Sequence, residues 1–191
     1  ALNDFFVRSD HSITREFERE CRETGPLYRM SNHTCYQVGF AGVACGIART
    51  ALDNFVETMR NKVPRGGRGS LRDNAVVQSN LAQAEVNLRA ARGYVLQSTA
   101  DVWKDLVAGA TITVAQRMNI RMASTHAIHK AREAVDFAYN AAGATAIFES
   151  HPLERRFRDI HTVTQQLQGQ LRHFETVGAW MMGVDTDLSF V

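Results

Sequence analysis

The sequence is short of the features that staple small secreted folds or anchor a chain in a bilayer. It has three cysteines, Cys21, Cys35 and Cys45, an odd set with no Cys-x-x-Cys pair. That excludes a closed disulfide framework and a four-thiolate zinc site. Free thiols in a reducing cytoplasm are expected, with Cys45 as a small core residue. Only three prolines occur, so long stretches run without a breaker. No apolar run reaches the roughly 18 residues that a spanning helix requires. No secretory signal pattern is visible, so neither a membrane nor export is expected. Charge of one sign is not in excess: 22 Lys and Arg stand against 20 Asp and Glu, a formal net charge of +2. That leaves no wide basic footprint for nucleic acid. The opening Ala1-Leu-Asn-Asp-Phe-Phe-Val reads as mid-chain, as in a piece of a longer protein.

What is present is helical periodicity. Hydrophobic residues make up 45% of 191 residues, enough for one sizeable core. Residues 1–31 read as the end of a preceding β domain and a linker. In this part Leu2 to Val7 supply a short strand, Ser12 opens a charged helix or turn, and Gly25-Pro26 breaks it. Residues 32–191 read as an all-α antiparallel four-helix bundle. A first helix runs from near Asn32 to near Lys62, with its Gly- and Ala-rich first half buried on both faces. A second, capped by Asp73, reaches about Val107 and stops before Gly109. A third spans about Thr113 to Ala142 and stops at Gly143. A fourth starts at Pro152 and continues unbroken to about Met182. Its apolar stripe is expected to include Leu167, Leu171, Phe174, Val177 and Met181.

The constellations that carry chemistry are few. Val63-Pro-Arg-Gly-Gly-Arg-Gly-Ser70 has no P-loop ending and reads first as a flexible basic linker. Its glycines and arginines also suit phosphate, which makes Arg65 and Arg68 candidate cofactor contacts. His126, His129 and Glu133 read as a polar face with local pairing, and no metal site is expected. The paired Glu-x-x-His motifs of a di-iron bundle and the Gly-x-Ser-x-Gly elbow of a hydrolase are both absent. The densest stretch is Gly143 to His161. A glycine stop is followed by a proline-started helix opening with Glu154, Arg155, Arg156, Arg158 and Asp159, spaced to pair along one helix.

Pro152-Leu-Glu-Arg-Arg-Phe-Arg-Asp-Ile-His-Thr-Val-Thr-Gln-Gln, preceded by Ala-Ala-Gly143-Ala-Thr, resembles the C-terminal helical domain of the acyl-CoA dehydrogenase superfamily. The nearest branch is that of two-component flavin-dependent monooxygenases. Phe40 to Leu52 and Asn74 to Ala82 resemble the first two helices of that domain. The resemblance implies a flavin held between this bundle and a β-barrel, and a tetramer built through the bundles. It places Gly143, Ala144 and Thr145 against the cofactor. In the hydroxylase branch it implies reduced FMN from a separate flavin reductase and a small substrate, such as an aromatic. The alternatives are an FAD-dependent acyl-CoA dehydrogenase and a non-catalytic oligomerisation module. Two positions depart from the pattern. Dehydrogenases carry Glu-Gly-Thr after Arg-Asp, where this chain has Gln168-Gly169-Gln170. Hydroxylases often carry a His two turns after the motif's Arg, where this chain has Gln166. An amide hydrogen-bonds but does not take up a proton at neutral pH. His161, one turn earlier, is the remaining candidate for acid–base work, beside Gln166 as a hydrogen-bonding group.

Overall fold

The computed structural model describes residues 3–12, 21–60, 62–63, 66 and 69–188. Five α-helices follow in chain order: α1 Asn32–Met59, α2 Ala75–Val107, α3 Val114–Ala142, α4 Pro152–Thr164 and α5 Arg172–Met181. Among the described residues there is no strand. Residues 3–7 are therefore not the expected strand: Phe5, Phe6 and Val7 stand exposed, with no neighbouring strand to take up their backbone bonds. The charged stretch after Ser12, residues 13–20, lies outside the described residues.

Local signals explain where each helix begins. Ser31 caps α1, its Oγ accepting from the Thr34 amide at 3.1 Å. α2 is capped by Asn74, whose Oδ1 accepts from Val76 and Val77 at 2.9 and 3.2 Å. Asp73, the cap expected from sequence, instead belongs to the short 3-10 turn Leu71–Asp73. Both residues can cap; the turn before them decides which one has the extended backbone a cap needs. Thr113 and Gln116 form a reciprocal capping box on α3. Pro152 fills the first position of α4, where a missing N–H costs nothing.

The core is rich in alanine. Ala44, Ala48 and Ala51 of α1 meet Ala127, Ala131 and Ala134 of α3, with Leu52, Phe55, Ile128 and Val135 filling the larger gaps. Short side chains let the helix axes approach closely. α3 is the central element and packs on α1, α2, α4 and α5. The first half of α1 is buried on one face only: Gly39, Gly42, Val43 and Gly46 are open, with nothing within 4 Å of an added Cβ at any of the three glycines. Val76, placed in the α2 stripe by its spacing, is 67% exposed. No described helix is long and apolar enough to cross a membrane.

The fourth helix is not continuous. α4 ends at Thr164, a 3-10 turn follows at Leu167–Gly169, and α5 starts again at Arg172. The interruption resets the helical phase. His173 and Val177 turn inward on α5, while Leu171, Phe174 and Met181 face outward.

Candidate functional site

The Gly143 turn gathers one group of polar atoms. Gly143 has φ 60° and ψ −149°, a backbone conformation that residues with a Cβ rarely adopt. It turns the chain sharply out of α3 into the 3-10 turn Gly143–Ile147, leaving Gly143 and Ala144 exposed and Thr145 half-buried. Lys62, just beyond α1, donates from Nζ to the Ala142 carbonyl and the Thr145 hydroxyl. Burial holds the Lys62 pKa below its ordinary value. His151 caps α4, its Nδ1 accepting from the Leu153 amide at 3.3 Å. That bond places the proton of the neutral ring on Nε2, which is buried and meets no hydrogen-bond partner among the described residues. Burial, and secondarily the charge of Lys62, keeps His151 below its usual pKa. Lys62 and His151 escape the sequence reading, although a lysine past a helix end and a polar residue before a proline are both terminus signals. Arg65 and Arg68, the other two candidate cofactor contacts, lie outside the described residues.

The charge-dense start of α4 is an ion-pair network, as its spacing implied. Glu154 accepts from Arg158 at 2.6 and 2.9 Å, and Asp159 pairs with Arg156 at 3.1 Å and Arg155 at 3.7 Å. Further along α4, His161 Nε2 lies 2.8 Å from Asp136 Oδ1 of α3, and Arg132 approaches the other oxygen at 3.6 Å. The His161 ring packs on Phe157, which stacks on Tyr139. A histidine bound to a carboxylate is fixed in orientation and able to carry a proton. Gln166 is exposed and opens the turn after α4, its carbonyl accepting from the Gly169 amide at 2.9 Å. His161 stands nine residues beyond Pro152, or about 14 Å along the helix at 1.5 Å per residue. The Gly143 group and the His161–Gln166 group thus sit at opposite ends of α4 and do not converge on one atom.

The α4–α5 connection is held by side chains that sequence periodicity missed. Arg121 of α3 is fully buried, at 0% exposure. Its Nη1 donates to Gln168 Oε1 at 2.8 Å. With the Gln37 amide oriented oxygen-inward, that oxygen accepts from Arg121 Nη2 at 2.6 Å and Nε at 3.2 Å. Burial, and then the neighbouring Arg172 charge, lowers the Arg121 pKa to about 10, so the group stays charged at neutral pH. Thr125 Oγ1 donates to the Gln168 carbonyl at 3.4 Å, and His129 Nε2 to the Gly169 carbonyl at 2.8 Å. His173 Nε2 donates to the Leu167 carbonyl at 2.6 Å. His129 is therefore engaged with backbone, and no metal-binding cluster of His, Cys, Asp or Glu occurs among the described residues. Between α2, α3 and α5 an open groove of about 360 Å³ is walled by Met118, Met122 and Trp180. Asn119 lines it too, bonded to Ser98 at 2.9 Å.

The chain is 32% identical over 159 residues to an indole-3-acetate monooxygenase of Pseudomonas putida, covering 83% of this chain and 41% of that protein. It is 28% identical over 141 residues to a flavin-dependent monooxygenase, oxygenase subunit HsaA, of Rhodococcus jostii, covering 73% of this chain and 37% of the relative. The solved structure of XiaF from a Streptomyces species, in complex with FADH2 and glycerol, shares the fold with a TM-score of 0.84 at 22% identity, covering 96% of this chain and 48% of that one. The chain thus spans about two fifths of the length of the curated relatives it matches. The family described as acyl-CoA dehydrogenase, C-terminal domain, matches residues 38–169, from the second turn of α1 through the turn at Gly169, and the chain belongs to that family.

Proposed function

We propose that this chain is the C-terminal bundle of a flavin-dependent monooxygenase of the two-component kind, acting on a small aromatic substrate. The observation that carries the reading is the Gly143 turn. A lysine ammonium, a buried His151 N–H with no partner among the described residues and an exposed glycine-led backbone come together there, a donor set suited to an anionic cofactor group such as a flavin phosphate. The relatives' names supply the rest: a monooxygenase of indole-3-acetate, and a flavin-dependent enzyme with a separate oxygenase subunit, which implies a flavin reductase as partner.

A reduced flavin, when bound, supplies electrons to oxygen. The chain's own residues would do the remaining work. Lys62, His151 and the Gly143–Thr145 backbone would bind and orient the cofactor's anionic end. At the far end of α4, Gln166 would present a hydrogen-bonding amide, and His161, its Nε2 N–H held by Asp136, would take up or give a proton at Nδ1. FMN and FAD both fit this donor set, and FMN supplied in reduced form is our first choice. The exposed Leu171, Phe174, Met181 and Met182, on α5 and at its two ends, support assembly through the bundle, as a tetramer. Residues 1–31 would be the end of a preceding β domain and the linker from it. Free Cys21, Cys35 and Cys45 accord with a reducing, cytoplasmic setting. The missing carboxylate at Gln168 argues against an acyl-CoA dehydrogenase with its base at that position.

The site-level test is anaerobic titration of the full-length protein with reduced FMN and reduced FAD. Lys62→Met should weaken binding of the preferred flavin about tenfold or more, the worth of one charge-assisted hydrogen bond. Unchanged affinity for both flavins in this variant contradicts the assignment of the Gly143 turn.

A further inference from the structure

One face of α3 secures the α4–α5 connection. Arg121, Thr125 and His129 are spaced four residues apart, so they form a single stripe along α3. Each bonds the connection: Arg121 to the Gln168 side chain, Thr125 to the Gln168 carbonyl, His129 to the Gly169 carbonyl. His173 closes the set from α5 by bonding the Leu167 carbonyl. Gly169 admits no side chain, because an added Cβ would lie 2.9 Å from the Thr164 carbonyl oxygen. Arg121 also grips Gln37 of α1, so its guanidinium ties three elements together. A core needs none of this. A charge buried among neutral amides is costly, and an apolar residue of similar volume packs as well or better. Such an arrangement is explained when the connection's position matters more than its stability.

We propose that the Arg121–Thr125–His129 stripe, led by Arg121, is the positioning element for Gln166. Resting on the functional reading above, it fixes where the Gln166 amide meets the bound flavin. Arg121 touches neither ligand; it acts through Gln168 and the backbone turn. Lysine is no substitute, because a point charge does not span Gln37 and Gln168 as the planar fork does.

The test uses the full-length protein with Arg121→Met, Gln166→Ala, the double variant, and Arg121→Lys as a milder change should the first not fold. Two readouts are taken: anaerobic affinity for reduced FMN and reduced FAD, and amide hydrogen exchange. The Arg121 variants should accelerate exchange across residues 165–171 about tenfold or more, with α2 amides protected as before. Arg121→Met and Gln166→Ala should each weaken binding of the preferred flavin about tenfold, and the double variant no further than the weaker single. Losses that multiply, retained flavin affinity in the Arg121 variants, or unaltered exchange at 165–171 each overturn the proposal. If wild-type protein binds neither flavin, the functional reading falls and positioning toward a flavin falls with it. The exchange data then show separately whether the stripe holds the connection.

Discussion

Two single residues carry sharp consequences. Gly169 sits where a Cβ would meet the Thr164 carbonyl oxygen at 2.9 Å, its Cα at 3.1 Å and its carbonyl carbon at 3.2 Å. All three are backbone atoms that cannot rotate away. Gly169→Ala should therefore destabilise the protein by about 1–3 kcal/mol in denaturant unfolding, despite the usual entropic benefit of removing a glycine. His173 is the second. Burial lowers its pKa from the ordinary 6.5; its bond to the Leu167 carbonyl opposes that shift, and the charges of Arg121 and Arg172 add to it. The folded state keeps the ring neutral, whereas the unfolded chain takes up a proton near the ordinary value. The contribution of His173 is thus complete above about pH 6.5 and is lost as the pH falls toward the lowered folded value. Thermal unfolding followed from about pH 8 down to pH 5 should show a falling midpoint, and His173→Asn should flatten part of that slope. His126 and His151 shift in the same direction, so part of the slope should survive.

Among the elements, helix ends separate what could be read from the sequence from what could not. The bounds of α1 and α3 follow from periodicity and terminus signals, and the structure agrees with them closely. The cap of α2 did not, because Asp73 and Asn74 are equally able to cap and only the preceding turn selects Asn74. Asn74→Ala should lower stability by about 1 kcal/mol in denaturant unfolding, whereas Asp73→Ala should change it by less than about 0.5 kcal/mol. The break between α4 and α5 also escaped periodicity. The apolar residues of 153–181 fit one continuous stripe, and no proline interrupts them. The polar groups of the turn are taken up by Arg121, Thr125 and His129 of α3 and by His173 of α5 itself. Arg121 itself was invisible because charged residues are almost never fully buried, so a stripe built from hydrophobic spacing passes over it. Residue type misled at α1 as well: small size permits close packing without requiring it, and Gly39, Gly42 and Gly46 lie open.

At the scale of the molecule, α3 is the organising helix. One end opens into the Gly143 turn, and its middle secures the α4–α5 connection, so it fixes both candidate groups along α4 relative to each other. The bundle could be read from the sequence because each long helix carries its own apolar period. The candidate site was half legible. Gly143–Thr145, His161 and Gln166 are proposed from motif resemblance; His151 lies close to them in sequence, whereas Lys62, Asp136 and Arg121 come from distant stretches that only folding brings near. We propose that the whole protein uses a reduced flavin and oxygen on a small aromatic. This is tested most directly by supplying the full-length protein with reduced FMN or reduced FAD and following oxygen consumption and product mass with indole-3-acetate and p-hydroxyphenylacetate as probes. Oxygen uptake coupled to an aromatic product heavier by one oxygen atom is expected. Full-length protein that binds neither reduced flavin and leaves both probes unchanged would contradict it.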